Sequence, residues 1–103
     1  MSNHRDRSLL DLAHLLHECT NCGRYSVEGL EPAHMNGIES GKGQGIKGDD
    51  FLHAALCHGC HRWYDTSGAD REEKRDMWIR AHIETFRRYW VNGWLKVIMR
   101  GRA

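Results

Sequence analysis

Leu56 to Asp65 reads LCHGCHRWYD, and these ten residues decide the fold because they hold two cysteines, two histidines and a carboxylate. Cys57 and Cys60 form a Cys-x-x-Cys knuckle, a spacing at which one tight turn offers two thiolates to a metal ion. His61 and Asp65 stand four apart, so on a helix they share a face and can hold a second ion with different ligand chemistry.

A matching pair, Cys19 and Cys22, lies upstream, followed by Gly23, which permits the tight turn of a knuckle. In a small secreted protein four such cysteines would imply disulfides. Here the N-terminus, MSNHRDRSLL, carries charges where a signal peptide needs an apolar segment, and the two-residue gaps suit zinc better. The four cysteines are therefore expected to share one structural zinc. At 103 residues the chain reads as a single domain, 1–103, whose apolar core gives a modest stability margin, and structural zinc adds on the order of 10 kcal/mol in small modules. No apolar run reaches transmembrane length, which implies a soluble, cytoplasmic chain with no membrane partner.

The net charge of +1 conceals an asymmetry: residues 1–70 carry 6 Lys/Arg against 10 Asp/Glu, and residues 71–103 carry 9 against 4. The basic third suits a nucleic-acid partner, although a solvated basic helix face has the same composition.

Residues 5–17 repeat leucines at helical spacing, with Asp6 or Ser8 available as N-cap, and predict an amphipathic helix. An extended segment is expected around Leu30 to Met35, bearing His34. GIESGKGQGIKG (37–48) reads as a surface loop, and its spacing is one residue short of a Walker loop, with Gly43 where the magnesium-holding Ser or Thr would stand. FLHAAL (51–56) suits a second strand antiparallel to the first, and a short helix from His58 to Tyr64 should end at Ser67-Gly68. Asp70 and Glu73 fit a capping box, opening a helix to about Val91 with the apolar stripe Met77, Trp78, Ala81, Ile83, Phe86, Tyr89, Trp90 and Val91, read as core rather than a base-stacking platform. Asn92-Gly93 is the expected stop, and WLKVIM (94–99) is compatible with a strand or a last helical turn. The fold class is thus α+β, with a strand-loop-strand-helix unit over about 30–66 between an N-terminal helix and a long C-terminal one. Lys42, Lys47, Arg62 and the C-terminal Arg/Lys set are candidates for sequence-independent phosphate contacts on DNA.

In this order, PAHMNG (32–37), DFLHAALCHGC (50–60), CHRWYD (60–65) and, weakly, WLKVI (94–98) resemble the HNH, or His-Me finger, endonucleases, and more narrowly the small phage and prophage nucleases of the YbcO type. The resemblance implies a zinc-stabilised ββα-metal core and metal-dependent hydrolysis of DNA to 5′-phosphate and 3′-hydroxyl ends, in the cytoplasm of a bacterial host. It makes His34 the general base and places His61 on a catalytic Mg²⁺ or Mn²⁺, with Asp65 as second ligand. Where many of these enzymes put an acidic or histidine ligand just before the base, this chain has Ala33. Asp50, with His53 second, is the candidate for the family's middle Asn and a further candidate at the catalytic metal. A phage or host recombination or replication protein is a possible partner. The rival reading is a non-catalytic zinc module that binds DNA or a phage or host protein. His4, His14, His17, His58 and His82 read as surface or packing residues.

Overall fold

A computed structural model describes residues 5–36 and 49–98. The elements are α1 (Arg7–Asp11), a 3₁₀ turn (Leu12–Leu15), β1 (Glu31–His34), β2 (His53–Leu56), α2 (His58–Thr66) and α3 (Arg71–Val91). Among the described residues the architecture is α+β: one two-stranded sheet and three helices. Among the described residues no helix is long and apolar enough to cross a membrane. The expected loop over 37–48, with the roles given to Lys42 and Lys47, lies outside the described residues.

Asp6 caps α1, its carboxylate accepting from Leu9 N–H at 3.1 Å. The helix is shorter than the leucine repeat predicts, because residues 16 and 17 leave it to pair with the chain approaching β1: Leu30 N–H donates to Leu16 C=O at 2.9 Å and Ser26 N–H to His17 C=O at 2.7 Å. Gly29 makes that approach possible. Its φ is +92°, and a Cβ there would collide with the His14 carbonyl.

β1 and β2 pair antiparallel in the register Glu31 with Leu56, Pro32 with Ala55, Ala33 with Ala54 and His34 with His53. The ladder continues where Met35 N–H donates to Leu52 C=O at 3.1 Å, so the bonded rungs fall at residues 31, 33 and 35. Pro32 therefore sits where no N–H is needed. Its neighbour across the sheet, Ala55, turns outward: its N–H donates to Thr85 Oγ1 at 2.9 Å and its C=O accepts from Thr20 Oγ1 at 2.7 Å.

α3 packs on this sheet with the i, i+4 row Met77, Ala81, Thr85 and Tyr89, and with Trp78 beside it. Trp78 is 2 % exposed, and its indole N–H donates to Ala33 C=O at 2.9 Å. The buried face is narrower than the apolar stripe in the sequence: Ile83, Trp90 and Val91 stand exposed, while Thr85 is fully buried because β2 needs its hydroxyl. The expected capping box does not form, since Asp70 makes no side-chain cap bond. The helix ends as Asn92-Gly93 predicts, in a Schellman motif: Trp94 N–H donates to Tyr89 C=O at 2.9 Å, Gly93 N–H to Trp90 C=O at 3.0 Å, and Gly93 takes φ +76°. Trp94 packs on Tyr89 with ring centroids 6.1 Å apart, completing the motif's apolar contact. Beyond it residues 94–98 form neither strand nor helix.

His53 is the buried polar centre of this packing. Its Nδ1–H donates to Asp50 C=O at 2.6 Å, and its Nε2 accepts from Tyr89 O–H at 2.8 Å. Burial pushes its imidazole down from 6.5 to about 4. Unfolded His53 takes up a proton as pH falls through 6.5, whereas the folded residue resists until about 4. Stability is thus full above that window and is lost as pH falls across it, by on the order of 3 kcal/mol. Melting temperatures of wild type and His53→Gln across the window check this. Both keep the cysteine site, so its acid loss cancels, and wild type should show the steeper decline. Parallel curves would refute the assignment.

Candidate functional site

β2 runs straight into Cys57, which serves as N-cap of α2, its sulfur accepting from Cys60 N–H at 3.5 Å. Cys19 and Cys22 bracket a turn in which Gly23 N–H donates to Cys19 C=O at 3.0 Å and Glu18 pairs with Tyr25. The two knuckles meet. The four sulfurs lie within 4.8 Å of one another and can coordinate a structural metal such as zinc. Cys19 Sγ accepts from the N–H groups of Cys57 (3.3 Å), Asn21 (3.4 Å) and Cys22 (3.5 Å), and Asn21 Nδ2 donates to Cys60 Sγ at 3.3 Å.

These donors decide the charge. Burial raises the Cys19 thiol, but the N–H groups of Cys22, Cys57 and Asn21 outweigh it and hold the thiol near 7. Burial, reinforced by the nearby Cys19 charge, pushes Cys60 up to about 12 against the Asn21 bond and also raises Cys57. The Cys19 thiolate forms readily while Cys57 and Cys60 hold their protons, and a cation supplies the charge that lets those two ionise.

Beside this cluster, Arg7, Leu10, Asp11, His14, Pro32, His34, Asn36, His61 and Asp65 line an open cleft of about 460 Å³ between α1 and α2. A larger hollow of about 900 Å³ at the start of α3 shares Asn36 and Asp65 but holds neither of the expected catalytic histidines, so the smaller cleft is the relevant one. His34 stands at the end of β1 with its side chain 15 % exposed, its Nε2 3.0 Å from Asp50 Oδ1. His61 and Asp65 share one face of α2, as their spacing predicts, with Nε2 and Oδ2 3.1 Å apart.

Glu31, which sequence reasoning passed over, sits on the far side of His61. Its carboxylate is 2.7 Å from His61 Nδ1 and 3.2 Å from His58 Nδ1. Burial raises the Glu31 carboxyl, but the bonds and charges of His61 and His58 bring it below the usual range. A neutral imidazole has one N–H, so between Glu31 and Asp65 it satisfies one carboxylate and turns a lone pair on the other. A second proton, or a cation between Nε2 and Asp65, resolves the conflict. His61 Nε2 thus faces the Asp65 carboxylate while Glu31 fixes the ring from Nδ1. Among the described residues, the four cysteines form the one group of three or more metal-binding side chains close enough to surround an ion, and His61 and Asp65 stand outside it as a pair.

Asp50 is not with these ligands. It is 3 % exposed and bonded to His34, to Asp6 N–H at 2.6 Å and to Arg5 at 3.5 Å. His53 is buried against α3, and Arg62 stands exposed on α2, outside the cleft lining. Of the remaining histidines, His17 and His82 each donate to a backbone carbonyl at 2.8 Å, whereas His14 lines the cleft. No family model, curated protein or solved structure matches this chain significantly.

The cysteine cluster should carry one zinc per chain, read by elemental analysis of the purified protein. Cys19→Ser and Cys57→Ser should each lose the metal and most of the cooperative melt. A chain that folds unchanged with no zinc would overturn the assignment.

Proposed function

We propose that this chain is a metal-dependent DNA endonuclease of the HNH type, built on a zinc-stabilised ββα-metal core and encoded by a phage or prophage. The observation that supports it is the shared cleft: His34 at the end of β1 and the His61–Asp65 pair on α2 line one hollow large enough for a phosphodiester. The succession β1, β2, α2 is the order such a core requires.

His34 acts as the general base, taking a proton from the attacking water, a task suited to an imidazole at neutral pH. His61 and Asp65 hold the catalytic ion. Imidazole with carboxylate suits Mg²⁺ or Mn²⁺ when water and phosphate oxygens complete the shell. Once bound, a divalent cation supplies charge neutralisation at the scissile phosphate and the departing 3′-oxygen. Glu31 keeps the His61 ring turned so that Nε2 faces Asp65. Arg7 lines the same cleft, paired there with Asp11 at 3.6 Å, and Lys42, Lys47, Arg62 and the basic C-terminal third provide non-specific contacts along the strand.

The rival, a zinc module that binds DNA or a protein partner without cutting, draws on Ala33, which leaves the second ion two ligands from the chain. Nicking of supercoiled DNA with Mg²⁺ or Mn²⁺ separates the two. His34→Ala should retain DNA and metal binding and lose about 10²–10⁴-fold in rate, the usual worth of a positioned base. His61→Ala should instead lose the catalytic ion, seen as lost Mn²⁺ binding, with the zinc retained in both variants. Full cleavage by His34→Ala ends the base assignment, and release of zinc by His61→Ala places that residue in the other site.

A further inference from the structure

The carboxylate of Asp50 is buried, and everything it is bonded to is a donor. Oδ1 lies 3.0 Å from His34 Nε2 and 3.5 Å from an Arg5 guanidinium nitrogen, and Oδ2 accepts from Asp6 N–H at 2.6 Å. Burial pushes the Asp50 carboxyl up, but the His34 bond, the Asp6 N–H and the charges around them more than offset this and hold it below the usual carboxylate range. Asp50 is therefore an acceptor only, and the nitrogen facing it must carry a proton. The other ring nitrogen, Nδ1, has no hydrogen-bond partner among the described residues, and the ring lines the cleft.

We infer that Asp50 is a positioning residue: clamped by the backbone of Asp6 and by Arg5, it fixes His34 in the tautomer protonated on Nε2 and leaves Nδ1 bare toward the cleft. What Nδ1 then does rests on the endonuclease reading; the tautomer itself does not. The clamp reaches across the chain. Residues 5 and 6, just ahead of α1, hold a carboxylate that leads into β2, and that carboxylate orients a ring at the end of β1. A carboxylate behind an imidazole selects its tautomer and fixes its plane, and replacing it by an amide permits the wrong tautomer at large cost in rate.

The experiment uses full-length, zinc-loaded, ¹⁵N-labelled protein. Long-range proton–nitrogen spectra in mildly alkaline buffer report which imidazole nitrogen carries the proton, with His34→Gln identifying the resonances. Wild type should show His34 protonated on Nε2 with a bare Nδ1. In Asp50→Asn the proton should redistribute between the two nitrogens, and nicking should fall by about 10²–10⁴-fold, with zinc content and DNA retention unchanged. Protonated Nδ1 in wild type overturns the inference, and that spectrum decides the matter even if Asp50→Asn does not fold. In a chain that nicks DNA, redistribution without a loss of rate, or a loss of rate without redistribution, also overturns it. If wild type shows the expected tautomer, Asp50→Asn disturbs it, and neither nicks DNA, the Asp50 assignment stands and the endonuclease reading fails.

Discussion

Four thiols brought within 4.8 Å of one another are the constraint from which the rest of the structure follows. They draw a small turn near the N-terminus onto the N-cap of α2, and because Cys57 is both the last step out of β2 and the cap of α2, the cluster fixes where strand becomes helix. The strand register then places Glu31 opposite Leu56, one residue from that junction, which is why Glu31 can reach both His58 and His61. A chain this short has little apolar surface with which to set such a junction by packing alone. A shift of one residue in β1 would turn Glu31 to the other face of the sheet and remove the carboxylate behind His61.

The cleft repeats one device. Each of its two central imidazoles has a carboxylate behind one nitrogen, Asp50 behind His34 and Glu31 behind His61. The surroundings differ: Asp50 is buried and pinned by the backbone, while the Glu31 side chain is 38 % exposed and shared between two histidines. A fixed ring suits proton transfer, which needs a set direction, and a more open one suits a ligand that adjusts to an ion and its waters.

The parts of this arrangement readable from sequence were those with a local rule behind them. The knuckles, the two strands, α2 and the Asn92-Gly93 stop each have a spacing or a turn residue that announces them. The His61–Asp65 pair was legible for the same reason, since four residues on a helix make one turn. Glu31 and the present role of Asp50 were not, because each depends on a partner 30 or 16 residues away that only the strand register and the N-terminal crossing bring close. The extent of the buried face of α3 escaped for a related reason. Hydrophobicity marks Ile83, Trp90 and Val91 as core and Thr85 as surface, but the strand edge requires a hydroxyl, and no periodicity encodes that.

The rung formed by Pro32 and Ala55 bears on how the molecule behaves in company. On its β1 side that rung has a proline nitrogen with no hydrogen to give, and on its β2 side the backbone groups of Ala55 are already taken by Thr85 and Thr20. A strand from another molecule laid against either edge would meet an interruption at the middle of its run. With strands only four residues long, one blocked rung is enough to deny a foreign strand a continuous ladder. The sheet is thus closed to recruitment at its centre, and crowding at high concentration should act through exposed apolar side chains such as Val27 and Val91 rather than through backbone pairing.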